Sequence, residues 1–228
     1  MGQKEIYDRI YSAAEKDYWS EVRIELFKGR KFGKVLDIGC GDGYGSRVLE
    51  YADYTGVDIS PKAGRYLKKF FVSDCKKLPF KDNAFDTILM FEVIEHLTAT
   101  EQVLKELKRV LKDGGRIIIT TPNSRNFFVW FYESVKKNSI VRKIFGRADI
   151  EGDQHEREYT IESLTKTLAK VGFKEVNVKD VGLGIGFLFS FLVYGRFSTP
   201  FSKKIIAIDY RLPAINGHNL FAEAMKRR

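Results

Sequence analysis

Three groups of residues have types and spacings that could do chemistry. The first is VLDIGCGDGYGS, residues 35–46, where Gly39, Gly41 and Gly43 follow an apolar run and precede a helical segment. Glycine serves where a backbone turns tightly or approaches a ligand closely, and the helix start behind such a turn is electropositive. Taken alone, the spacing fits a plain strand-to-helix turn, a dinucleotide turn or another ligand-binding loop. The second group is acidic. Asp37 lies inside the first apolar run, Asp58 ends the second run 15 residues beyond Gly43, and Asp74 ends the third 16 residues further on. A carboxylate within an apolar run is costly unless it meets a cation or a hydrogen-bonding ligand. A carboxylate at a strand end can accept from both hydroxyls of a ribose, and one at the next strand end from an adenine amine. Three such acids at consecutive strand ends predict a ligand carrying amine, ribose and adenine groups. The third group is Glu92, Glu95 and His96 in FEVIEHL. On a helical turn over 92–96 these side chains share one face, a set suited to holding a divalent cation, to acting as a general base, or to bracing a pocket wall.

The elements that must position these groups are legible as short apolar runs, KVLDIG, YTGVDI, KFFVSD, FDTILMF and GRIIITTP, each read as followed by a turn and a helical segment. That alternation predicts an α/β fold: a doubly wound, mostly parallel sheet with helices on both faces, which puts Asp37, Asp58 and Asp74 on its ligand-binding carboxyl edge. Thr98 and Glu101 have the spacing of a capping box. Val103, Leu104, Leu107, Val110 and Leu111 mark the buried face of the helix behind it, and Gly114 with Gly115 is the expected stop. A further helix from Thr160, punctuated by Gly172, leads to strands at FKEVNVKDV and NLFAEAMKR. The organisation that follows is an N-terminal amphipathic helical lid at 1–32, a ligand-binding core at 33–122, a cap insertion at 123–158, and C-terminal core strands at 159–228 interrupted by a second insertion at 181–218.

Composition bounds the function. The chain has 228 residues, 44% of them hydrophobic, and two cysteines, which excludes disorder, a fibrous chain and a disulfide framework. The N-terminus lacks the apolar run of a secretory signal, so a reducing cytoplasm is the expected compartment, with peripheral membrane contact as the variant. The formal charge of +9 is uneven, with seven Lys and Arg against two Asp and Glu in residues 181–228. This basic tail adjoins an apolar run from Val181 to Tyr194 that is too short to cross a bilayer of about 20 residues. Phe127, Phe128, Trp130, Phe131 and Tyr132 enrich the first insertion. Aromatics clustered with aliphatics beside basic residues suit a hydrophobic cap, a homodimer interface or an anionic lipid surface better than the stacking groove of a nucleic-acid binder.

The motifs VLDIGCGDGYGS, VDIS, SDCKKLPFKDNAFDTILMFEVIEHL and LKDGGRIIITTPN together resemble the class I S-adenosylmethionine-dependent methyltransferases, in particular the small-molecule and ubiquinone-biosynthesis-like subgroup (methyltransferase type 11). A dehydrogenase is disfavoured, since the third glycine is misplaced for G-x-G-x-x-G. The resemblance implies a Rossmann-like seven-stranded sheet and S-adenosylmethionine as co-substrate. It implies that Asp37, Gly39 and Gly41 border the methionine moiety, Asp58 the ribose and Asp74 with the Cys75 backbone the adenine, with Cys40, Ile59 and Phe91 as further cofactor-binding residues. It gives Glu92, Glu95 and His96 as a metal site in some relatives and as pocket support in others, so a divalent metal is an option rather than an expectation. His155, accompanied by Tyr159, would close over the acceptor, or else be a surface histidine before the Thr160 cap. Glu92, His96 and His155 are therefore the candidate catalytic residues. The expected acceptor is a small, hydrophobic or lipid-like molecule. An RNA (tRNA) methyltransferase and a non-catalytic cofactor-binding regulator are the other readings.

Overall fold

The computed structural model describes residues 27, 29–43, 46, 49, 52–65, 67–126, 156–182, 217 and 219–227. The expected N-terminal lid up to residue 26, the aromatics of 127–132, His155 and the insertion at 183–216 lie outside the described residues.

Seven strands form one sheet: β1 (Lys34–Ile38), β2 (Asp53–Asp58), β3 (Phe70–Val72), β4 (Phe85–Phe91), β5 (Leu111–Pro122), β6 (Lys174–Val181) and β7 (Asn219–Met225). Their order is β3-β2-β1-β4-β5-β7-β6. The first five are mutually parallel, and β7 runs antiparallel between β5 and β6. This is the mostly parallel Rossmann-like sheet that the alternation of apolar runs predicts. The order reverses between β1 and β4, so connections leave in opposite directions there and open a crevice beyond the carboxyl ends.

The central strands are buried on both faces, which is why they read as unbroken apolar runs rather than alternating ones. On one face Leu36, Ile38, Ile88 and Ile117 pack beneath helices α1 (Thr100–Val110) and α2 (Ile161–Lys170), through Leu104, Leu107, Leu164 and Leu168 among others. On the other, Val35, Leu89, Phe91, Ile118 and Phe221 meet Phe27, Phe32 and Leu49. No helix among the described residues is long and apolar enough to cross a membrane.

Helix α2 starts where its sequence predicts. Thr160 is its N-cap and exchanges hydrogen bonds with Ser163 in a reciprocal capping box. Helix α1 departs from the sequence reading at both ends. Its N-cap is Ala99, with no side-chain cap, so the expected Thr98–Glu101 box does not form. Glu101 reaches instead to Lys170 on α2, and Thr100 Oγ1 donates to the Leu97 carbonyl. The helix also ends at Val110, ahead of Gly114. Leu111 is fully buried and already pairs with Phe85 in the sheet, and Gly114, at φ +78°, lies in the irregular stretch before regular β4–β5 pairing resumes at Arg116. Burial of Leu111 in the sheet overrides the glycine stop.

Candidate active site

The glycine loop leaves β1 with Gly39, Gly41 and Gly43 all in the left-handed region, at φ +66°, +54° and +80°. The amides of Gly39 and Cys40 both donate to the Val57 carbonyl, at 2.8 and 3.1 Å, which folds the loop over the end of β2. Gly39 has a second reason to lack a side chain, because a Cβ there would run into the Val93 side chain. Gly43 is glycine for a like reason, since a Cβ there would run into the Leu67 side chain, so the loop packs backbone against its neighbours.

Asp58, at the end of β2, is buried and accepts from the Gly41 amide through Oδ2 (3.1 Å) and the Ser60 amide through Oδ1 (2.9 Å). It braces the loop at the end of β2. Ile59, half-buried, follows it. Asp37 is buried beneath the loop, where the Tyr54 hydroxyl from β2 donates to it. The Ser73 amide donates to the Asp58 carbonyl at 3.0 Å, so the ends of β2 and β3 are tied and Asp74 follows directly. Asp74 is exposed. Its Oδ1 accepts from the Lys76 amide at 2.9 Å, and its Oδ2 lies 3.4 Å from Lys76 Nζ. Asp37, Gly39, Cys40, Gly41, Asp58, Ile59, Asp74 and Cys75 thus line the carboxyl edge of β1, β2 and β3 in the order the sequence predicts. Phe91 ends β4 and meets Phe27 at 5.6 Å between ring centroids. Neither cysteine is built as a nucleophile. Burial, with Asp74 beside it, pushes the Cys75 thiol up to about 12, and burial with Asp37 and Asp58 nearby pushes Cys40 up further.

The segment after β4 is not the helical turn over 92–96 that would align three side chains. Only Ile94–His96 forms a short 3-10 turn, and Glu92 stands outside it at φ +54°. A left-handed conformation is rare for a side chain as large as glutamate and marks a position held by its surroundings. Here the Glu92 amide donates to the Thr120 carbonyl (3.0 Å), while Glu92 Oε1 accepts from Asn219 Nδ2 (3.3 Å) on β7. Glu95 turns inward and is buried. Its Oε2 accepts from Thr121 Oγ1 at 2.9 Å, its Oε1 lies 3.9 Å from His96 Nε2, and its carbonyl accepts from the Arg157 amide at 3.0 Å. Glu92 and Glu95 are therefore drawn to different partners, and among the described residues no three His, Cys, Asp or Glu side chains are grouped to hold a metal ion. The Glu–Glu–His set does not fit a metal centre in this arrangement.

Several residues at this edge escape sequence reasoning. Tyr54, Thr121 and Asn219 touch Asp37, Glu95 and Glu92 from strands distant in the chain. Asn123 ties the end of β5 to the Gly217 carbonyl and to the Arg125 amide, and bridges to Tyr159. The run Thr120–Thr121–Pro122–Asn123, polar at the end of an otherwise apolar strand, is the one local signal for this group.

A family model described as a methyltransferase domain matches residues 36–119. A demethylmenaquinone methyltransferase of Thermotoga maritima is 30% identical over 196 residues, covering 80% of this chain and 84% of that protein. A ubiquinone/menaquinone biosynthesis C-methyltransferase of Geotalea daltonii is 25% identical over 211 residues, covering 80% and 88%. Among solved structures, an S-adenosylmethionine-dependent methyltransferase of Thermotoga maritima, described as a possible histamine N-methyltransferase, superposes with a TM-score of 0.65 at 21% identity, covering 98% of this chain and 99% of that one. That likeness is one of fold.

Proposed function

This chain belongs to the S-adenosylmethionine-dependent methyltransferases, and from that premise we propose that it methylates a small, hydrophobic, lipid-like acceptor at the carboxyl ends of β4 and β5. The observation that carries the reading is the make-up of the sheet face there. Phe27, Phe91 and Phe221 form a buried aromatic layer, and the paired polar groups of Glu92 and Asn219 stand at the strand ends beside it. The Glu92–Asn219 pair suits the polar group of an acceptor, and the aromatic layer is the closed core on which that edge rests. The quinone-pathway relatives support the same class of acceptor.

Asp37 and the Gly39–Gly41 backbone would hold the methionine moiety, Asp58 the ribose, and Asp74 with the Cys75 backbone the adenine. The left-handed glycine loop, the buried carboxylates of Asp37 and Asp58 and the exposed carboxylate of Asp74 fit those parts. When bound, the co-substrate supplies a methyl group activated by a sulfonium. His96 takes the acceptor proton. Glu95, anchored by Thr121, is its neighbour, with Oε1 3.9 Å from Nε2. Glu92 fixes the acceptor's polar group and is itself fixed by Asn219. The remaining task of the fold is alignment and exclusion of water.

The test is transfer of a labelled methyl group to a prenylated quinol lacking its ring methyl, a sterol and bulk tRNA. Label entering the organic phase with one of the first two supports the proposal, whereas label entering tRNA alone overturns it. His96→Ala is expected to lower kcat by about 100-fold or more while S-adenosylhomocysteine affinity stays within about twofold. Equal loss of both assigns His96 to binding rather than catalysis.

A further inference from the structure

Twelve residues, 73–84, join β3 to β4 and carry Asp74 and Cys75, yet contain no helix or strand of their own. A connection of that length is uncommon in a compact domain unless something outside it supplies the order. In this chain two side chains of α1 supply it. Glu106 Oε1 accepts from the Leu78 amide at 2.7 Å. Arg109 grips Glu106 side-on, Nε to Oε2 at 2.9 Å and Nη2 to Oε1 at 2.7 Å. The far side of the same guanidinium donates to the carbonyls of Phe80 (2.9 Å) and Leu78 (3.3 Å) and to Asp82 Oδ1 (2.6 Å). The Asn83 amide then donates to the Arg109 carbonyl at 3.0 Å. The first part of the connection is a turn closed on itself around Asp74, through the amides of Lys76 and Lys77 and through Ser73 Oγ to the Lys77 carbonyl. From Leu78 onward the chain is fastened to one point on α1.

We propose that Arg109 and Glu106 are positioning residues for the adenine end of the co-substrate: they set the height and angle of the 73–77 turn, and so of Asp74, by clamping the chain that follows it. The inference rests on the reading that Asp74 and the Cys75 backbone meet the adenine. The planar fork of arginine serves three loop acceptors and one carboxylate at once, which a lysine ammonium on a flexible stem cannot do. The clamp is built from α1, the helix that follows the Ile94–His96 turn, so the adenine end and the acceptor end of the site share one rigid support.

The experiment is calorimetric titration of the full chain with S-adenosylhomocysteine and with S-inosylhomocysteine. The latter replaces the 6-amino donor with a carbonyl that opposes the Asp74 carboxylate. Arg109→Lys is expected to weaken the adenosyl ligand about tenfold and to shrink its advantage over the inosyl ligand, while kcat at saturating co-substrate stays within about twofold. A purely structural role lowers the melting temperature and leaves the ratio of the two affinities unchanged. That result in Arg109→Lys, with the ratio collapsing in Asp74→Asn, overturns the clamp and leaves the adenine reading standing. An unchanged ratio in Asp74→Asn removes the adenine reading and the clamp with it. Glu106→Gln, which keeps the shape and loses the charge, carries the same expectation if Arg109→Lys does not fold.

Discussion

Replacing Gly39 by alanine tests whether the glycine loop is shaped by what it must not contain. At φ +66° an alanine pays the left-handed penalty of about 1–2 kcal/mol. Its Cβ would also sit about 1 Å inside ordinary contact of Val93 Cγ2, an overpacking that costs about 1–3 kcal/mol. The sum, about 2–5 kcal/mol, is a large part of the stability of an ordinary domain. Because the two contributions differ in origin, a double-mutant cycle separates them. Val93→Ala removes the clash and leaves the backbone penalty, so the double variant is expected to be more stable than additivity predicts by about 1–3 kcal/mol. Urea unfolding followed by circular dichroism measures stability, and titration with S-adenosylhomocysteine follows the loop directly. Val93 precedes the turn bearing Glu95 and His96, so Gly39→Ala should also depress methyl transfer, with partial recovery in the double variant. Additivity within about 0.5 kcal/mol would refute the clash as the reason for glycine here.

Two further predictions concern pH. The Arg109 guanidinium holds Glu106, and the Lys112 ammonium with the Lys34 amide holds Asp86, below the ordinary carboxylate range. Their contribution to stability is present above the ordinary values and disappears as pH falls through the lowered ones, so Glu106→Gln should flatten the acid limb of a pH series of urea midpoints. On the alkaline side, burial raises Cys75 from 9.0 to about 12, so an unfolded chain gives up that proton first. Stability is expected to fall as pH climbs between those values, less steeply in Cys75→Ser, and both thiols of the folded protein should react only slowly with a disulfide reagent at pH 8; rapid stoichiometric labelling there would contradict the burial argument.

The strands and the acids at their ends were legible because each depends on a few adjacent residues: an apolar run covered on both faces, then a carboxylate at the edge. Thr160 was legible as a helix start for the same reason, although its partner Ser163 was not. What escaped was decided across the chain. The Thr98–Glu101 spacing is right for a capping box, but Lys170 on the neighbouring helix takes Glu101. A glycine stop at Gly114 reads well, but the buried pairing of Leu111 with Phe85 turns the chain into a strand before it. The face shared by Glu92, Glu95 and His96 assumed helical periodicity, which the left-handed Glu92 breaks, and its partner Asn219 is 127 positions away. Local spacing identified the acids at the ends of the first strands, whereas the contacts of Glu92 and Glu95 are assembled from β4, β5 and β7 and have no contiguous signature.

The antiparallel β7 sets an order of assembly. β5 and β6 are not neighbours in the sheet: β7 lies between them, paired with β5 through seven residues from Arg116 to Pro122, and among the described strands β6 pairs with β7 alone. On the ribosome, β1 to β5 can zip together as soon as Pro122 emerges, with the glycine loop and all three strand-end acids in place. β6, although synthesised earlier than β7, has no backbone partner to dock on until Asn219–Met225 follows it out. Asn219 reaches Glu92 in the same event. A nascent chain halted before β7 should therefore retain the glycine loop and the edge of β1 to β3 while the outer edge of β5 lies open. Vectorial synthesis would then finish the glycine-loop half of the sheet first and the Glu92–Asn219 contact last.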